Sequence, residues 1–116
     1  MSRLVVVVSL IGGCAPLDGP RVDDLEPGAA ARGASVVLYG AGFCGGGASV
    51  DGRCEPLPSG AVDFGLSPPI ARAELRSWRD GAIDVLVPAS VDIGATTVYV
   101  TVDGRSSNGV SFEVLP

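Results

Sequence analysis

Three cysteines and a complete absence of histidine limit the chemistry open to this chain of 116 residues. Cys44 and Cys54 flank the glycine-rich stretch GGGASVDGR, while Cys14 stands apart near the N-terminus. Without histidine, a serine or cysteine nucleophile lacks its usual general base. Two cysteines alone cannot complete a tetrahedral zinc site. The adjacent carboxylates of Asp23 and Asp24 point to opposite faces of an extended strand and cannot act as an acid/base pair. Asp51, Glu55 and Asp63 lie in or beyond the glycine-rich stretch and could offer oxygen ligands to calcium, but they lack the regular D-x-D-x-D spacing of a specific site. Gly45, Gly46 and Gly47 precede no helical segment, so they do not form a phosphate-cradling loop. The expectation is a protein with no catalytic residues, no cofactor and no metal centre.

The N-terminus carries an address. Arg3 supplies a positive charge, Leu4 to Ile11 form an apolar run, and Ile11-Gly12-Gly13-Cys14 closes it, the layout of a secretory signal with a small-residue cleavage site. It resembles a bacterial lipoprotein signal, whose lipobox is an aliphatic residue, two small residues and a cysteine. The resemblance implies that Cys14 becomes the lipidated N-terminus, carrying diacylglycerol and acyl chains such as palmitate. It also implies export and a membrane contact made through that lipid. Ala15, where an aspartate would retain a lipoprotein at the inner membrane, implies the outer membrane of a Gram-negative bacterium. On this reading residues 1–13 are a signal peptide, 14–19 a short tether and 20–116 a single domain. The competing reading makes Leu4 to Val8 an N-terminal strand, favoured by valine propensity but not by alternation. A transmembrane helix is excluded, because the uncharged stretch Leu4 to Leu17 contains Gly12, Gly13 and Pro16 and falls short of the roughly 20 apolar residues that spanning takes.

Assigning Cys14 to lipid leaves Cys44 and Cys54 as a disulfide pair in an oxidising compartment, with two free thiols as the alternative. A crosslinked loop on a rigid scaffold is a natural contact surface, so Gly45, Gly46, Gly47, Asp51 and Arg53 are the candidate binding residues.

The elements that would carry this loop read as strands and turns. Gly 17 and Pro 9 punctuate the whole chain rather than clustering, as in an all-β domain. Period-2 or short extended segments occur at Arg21 to Leu25, Ser35 to Tyr39, Ala61 to Phe64, Ala71 to Trp78, Ala82 to Val87, Thr96 to Val102 and Val110 to Val114. Asp80-Gly81 and Asp103-Gly104 are hairpin signals. The pattern predicts a two-sheet β-sandwich of about seven strands. Its core should hold Leu25, Val36, Leu38, Phe43, Phe64, Leu75, Ile83, Val85, Val98, Val100, Phe112 and Val114, with Val37 and Tyr39 facing the other way. Gly40 and Gly42 should serve close backbone approach or positive φ. Ser107 and Asn108 should hydrogen-bond local backbone before the last strand.

Charge narrows the partners. Acidic residues number 13 against 8 basic ones, all of them arginine, for a net charge of −5. Such a domain repels a phosphate backbone, which excludes nucleic acid as a partner.

Three stretches carry a family resemblance. PRVDDLEPGAAARGASVVLYGAGF from Pro20 to Phe43, SWRDGAIDVLVP from Ser77 to Pro88, and VYVTVDGRSSNGVSFEV from Val98 to Val114 resemble, in order, the IPT/TIG family of immunoglobulin-like domains. The resemblance implies an E-set type immunoglobulin-like sandwich. It implies a non-catalytic surface module that contacts an envelope protein or acts as a spacer, with carbohydrate binding as the alternative. The Cys44 to Cys54 segment departs from the family pattern. The exposure of Trp78 and Tyr99 decides between these readings, and Trp78 either packs at a strand end or offers a sugar platform.

Overall fold

A computed structural model describes residues 19–116; Cys14, the apolar run before it and the boundary of the signal lie outside the described residues. Within them the chain forms β1 (Arg21–Glu26), β2 (Ala29–Ala31), β3 (Ser35–Ala41), β4 (Ala48–Val50), β5 (Arg53–Glu55), β6 (Gly60–Phe64), β7 (Ala71–Arg72), β8 (Glu74–Trp78), β9 (Ala82–Leu86), β10 (Gly94–Val102), β11 (Arg105–Ser106) and β12 (Val110–Leu115), with no helix. One sheet has the order β1-β3-β9-β8 and a second the order β2-β12-β10-β6-β7, with β11 paired to β10. β4 and β5 form a separate hairpin. The protein is all-β, and its two larger sheets share one buried cluster, the arrangement of a β-sandwich.

Alternation places the core. Val36 and Leu38 of β3, Ile83 and Val85 of β9, Val62 and Phe64 of β6, and Val98, Val100 and Val102 of β10 are all buried. Phe64 and Phe112 meet edge to face at 5.5 Å, joining β6 to β12 across the sheet. Leu25, Phe43 and Val114 are buried as expected, and Tyr39 is exposed. Leu75 is the exception. It remains 43% exposed although it stands opposite Val85 in register. The segment Ala71 to Trp78 is not one strand: Ala71–Arg72 pair with β6, and the chain then crosses at Ala73 to pair with β9 in the other sheet. A register shift between Leu75 and Ser77 bulges β8, so Leu75 lies at the open flank of the sandwich rather than within it.

Turn chemistry agrees with the residues that need it. Asp103 and Gly104 both adopt positive φ (50° and 85°), as do Asp51 and Gly52 (54° and 82°), and each pair closes a two-residue hairpin. Gly40 allows close approach, because a β-carbon there would overlap the Arg21 carbonyl oxygen.

Asn108 acts over a longer range than expected. Its amide oxygen accepts the Val22 N–H at 3.0 Å and its amide nitrogen donates to the Val22 carbonyl at 2.8 Å, so it completes a residue of β1 across 86 positions of chain. Ser107 does the local work: its N–H donates to the Val100 carbonyl, and its hydroxyl accepts the Val100 N–H and donates to the Asn108 carbonyl. Replacing Asn108 by alanine strands both polar groups of a buried residue, and should lower stability by about 2–3 kcal/mol in denaturant unfolding. A change smaller than about 0.5 kcal/mol would show that water or relaxation satisfies Val22 equally well.

Candidate functional site

Cys44 and Cys54 are disulfide-bonded, with Cα atoms 5.0 Å apart, and both are buried. The crosslink ties the hairpin of β4 and β5 to the chain directly after Phe43, and other contacts seat the hairpin against the residues that follow β8. Arg53 and Arg79 are paired through their backbones in an isolated antiparallel β-bridge, the Asp80 N–H donates to the Gly52 carbonyl at 2.9 Å, and Arg79 Nη2 donates to the Asp51 carbonyl at 2.8 Å. The strained positive φ at Asp51 is what turns the chain back at this point.

Trp78 joins the hairpin to the core. Its indole N–H donates to the Phe43 carbonyl at 2.7 Å, and its ring meets the Phe43 ring edge to face at 6.5 Å. Phe43 is fully buried, and the next residue is Cys44. Gly60 lies under the indole, where a β-carbon would overlap the six-membered ring. The indole is therefore held in one orientation.

Between β8 and residues 53–57 runs a groove of about 480 Å³, within the size range of ordinary ligand sites. Leu57, Leu75 and Trp78 supply its apolar surface; Arg53, Glu55 and Arg76 stand around it. Leu57 is 68% exposed. Arg53 and Glu55 pair at 3.6 Å across an exposed surface. Arg76 has no ion-pair partner among the described residues.

Of the five candidate binding residues, Arg53 alone borders this groove. Gly45 packs by Val102 and Asp103, and Gly47 lies against the Cys44 and Pro56 carbonyls. Gly46 faces open space, and Asp51 is a turn residue whose carbonyl holds Arg79. Leu57 and Arg76 belong to no recognisable motif, Ser77 enters only as the start of the SWRDGAIDVLVP stretch, and the alternating pattern places Leu75 in the core. The signal that could have found Arg76 is its place on the charged face of the alternating segment Ala71 to Trp78, two residues before the single tryptophan of the sequence.

Asp51, Glu55 and Asp63 do not assemble. Among the described residues no three His, Cys, Asp or Glu side chains group to hold a metal. Asp63 is instead buried on β6 and accepts from Arg72 Nε at 2.9 Å and Nη2 at 3.2 Å. That hydrogen bond first, and the charge of Asp63 second, hold the Arg72 guanidinium above its ordinary pKa.

No protein-family model matches the chain, and no curated protein matches it. Solved structures do. The gamma-CGTase from alkalophilic Bacillus clarkii superposes with a TM-score of 0.64 at 24% identity, over 84% of this chain and 12% of that enzyme. A protein named as a candidate phosphatase from Bacteroides thetaiotaomicron superposes with a TM-score of 0.52 at 14% identity, over 85% of this chain and 19% of the other. At these identities the likeness is one of fold. The chain spans less than a fifth of either structure.

The crosslink should matter measurably to stability. Replacing both Cys44 and Cys54 by alanine reopens a short loop in the unfolded chain and should cost about 2–3 kcal/mol on the loop-entropy account, read as a lower denaturant midpoint. An unchanged midpoint would mean that the hairpin is held by its contacts with Arg79 and Asp80 alone.

Proposed function

We propose that this chain is a non-catalytic contact module of the cell envelope, with an immunoglobulin-like fold of the IPT/TIG type. It would be exported and held at the membrane by lipid on Cys14. The strand order supports the fold: β1-β3-β9-β8 facing β12-β10-β6 follows the ABED and GFC sheets of immunoglobulin domains. The disulfide fits an oxidising compartment. The observation that carries the contact role is the braced hairpin beside an apolar groove, on a domain without histidine or a clustered metal site among its described residues.

The anchor would also orient the domain. Gly19 approaches Arg105 and Ser106, and the Gly42 backbone lies against Gly19 and Pro20. The chain thus enters at the end that holds the disulfide loop and the Asp103-Gly104 turn. Gly19 is five steps along the chain from Cys14, a reach of at most about 18 Å. The braced hairpin would then face the envelope or a protein embedded in it, and Leu115 would point away.

A carbohydrate-binding module is the second reading, favoured by the half-buried Trp78 beside Arg53 and Glu55. Against it, the indole N–H is already committed to Phe43. The likeness to gamma-CGTase supports the shared fold and names no ligand for this chain.

In a Gram-negative host the full chain should fractionate with detergent-soluble envelope lipoproteins and gain the mass of a diacylglycerol at Cys14. The Cys14→Ala variant should leave that fraction. Identical fractionation of parent and variant would remove the anchor.

A further inference from the structure

We propose that the groove between β8 and residues 53–57 is a docking site for a protein partner that inserts a large apolar side chain next to a carboxylate. This deepens the contact-module reading and is independent of the lipid anchor. The apolar part follows from Leu75, which is oriented like a core residue opposite Val85 yet left exposed, with Leu57 and Trp78 beside it. An incoming Leu, Ile, Phe or Met side chain would complete this flank of the core. The charged part follows from Arg76, a cation without an ion-pair partner among the described residues, on a chain whose net charge is −5. Arg53 stands across the groove from it and keeps only an exposed, 3.6 Å contact with Glu55. Tryptophan and arginine around a small apolar depression are the residues that dominate protein–protein hot spots.

The mode of contact follows from β8 itself. It lies at the end of its sheet, but the register shift between Leu75 and Ser77 disrupts the row of backbone groups that an added strand would need. Recognition therefore runs through side chains rather than through strand addition. A second copy of the chain is a poor occupant, since it brings the same net negative charge to the contact.

The single tryptophan of the chain is Trp78, so its fluorescence reads this groove without interference from another indole. A random peptide library panned on the full chain should enrich peptides with Leu, Ile, Phe or Met adjacent to Asp or Glu. Synthetic copies should shift Trp78 emission saturably, and more weakly as salt rises. Arg76→Glu, on the exposed bulge, should weaken binding about tenfold. Leu57→Ser, at a residue that supports no core contact, should do the same while leaving the unfolding midpoint unchanged. Enrichment of basic peptides, absence of any enriched peptide, or binding indifferent to both variants would overturn the proposal. So would a Trp78 response to purified envelope glycans in place of peptides. A failed Cys14→Ala fractionation test would leave the groove untouched, and a failed peptide test would leave the anchor untouched.

Discussion

The hydrogen bond from the Trp78 indole to the Phe43 carbonyl organises one whole end of this molecule. Phe43 is fully buried just beyond the end of β3, while Trp78 closes the strand β8 at the margin of the same sheet. Their contact ties a margin to a core. Cys44 follows Phe43 directly, so the same bond positions one half of the disulfide; Arg79 follows Trp78, so it also positions the guanidinium that holds the hairpin turn. Gly60 must then lack a side chain, because the indole occupies the space. Removing the indole would free three segments at once, which is why its burial is better understood as structural than as a free aromatic platform.

A second constraint is the treatment of sheet margins. β2 and β7 have three and two residues, too short to template another strand. β1 carries a register shift between Val22 and Asp24, and both polar groups of Val22 are taken by Asn108. β8 is bulged. Each margin is thus shortened, capped or distorted, the means by which β-proteins avoid pairing edge to edge. On such a scaffold, specificity has to come from side chains standing on fixed backbone, and the flank around Leu75 is where apolar side chains remain uncovered.

Most of the fold was legible because alternation is a local signal. Val36 and Leu38, Ile83 and Val85, Val98 and Val100 announce their buried face in the sequence, and Asp103-Gly104 announces its hairpin. What was not legible depends on long-range choice. Nothing in Ala71 to Trp78 marks the point at which the chain leaves one sheet for the other, so Leu75 read as core. Asn108 read as a local turn residue because its partner, Val22, lies at the opposite end of the chain. The glycine-rich loop drew attention to Gly45 and Gly47, whose flexibility serves the turn, while Leu57 and Arg76 gained their surroundings only when β8 and β5 were brought together. A site assembled from two unrelated segments has no spacing to recognise.

The crosslink therefore has a consequence beyond stability. Cys54 is part of the wall of the groove, and the bond to Cys44 fixes that wall relative to β8 before any partner arrives. Binding to a mobile loop costs ordering free energy, about 0.5–1.5 kcal/mol for each side chain immobilised. Here Trp78 is held by Phe43, and the backbone carrying Arg53 is held by its bridge to Arg79. Leu57 and Arg76 are left as the side chains that still have to be ordered. A small domain with a modest core gains specificity most economically in this way, by making the backbone of its contact surface as rigid as its interior and leaving only a few side-chain ends to adapt.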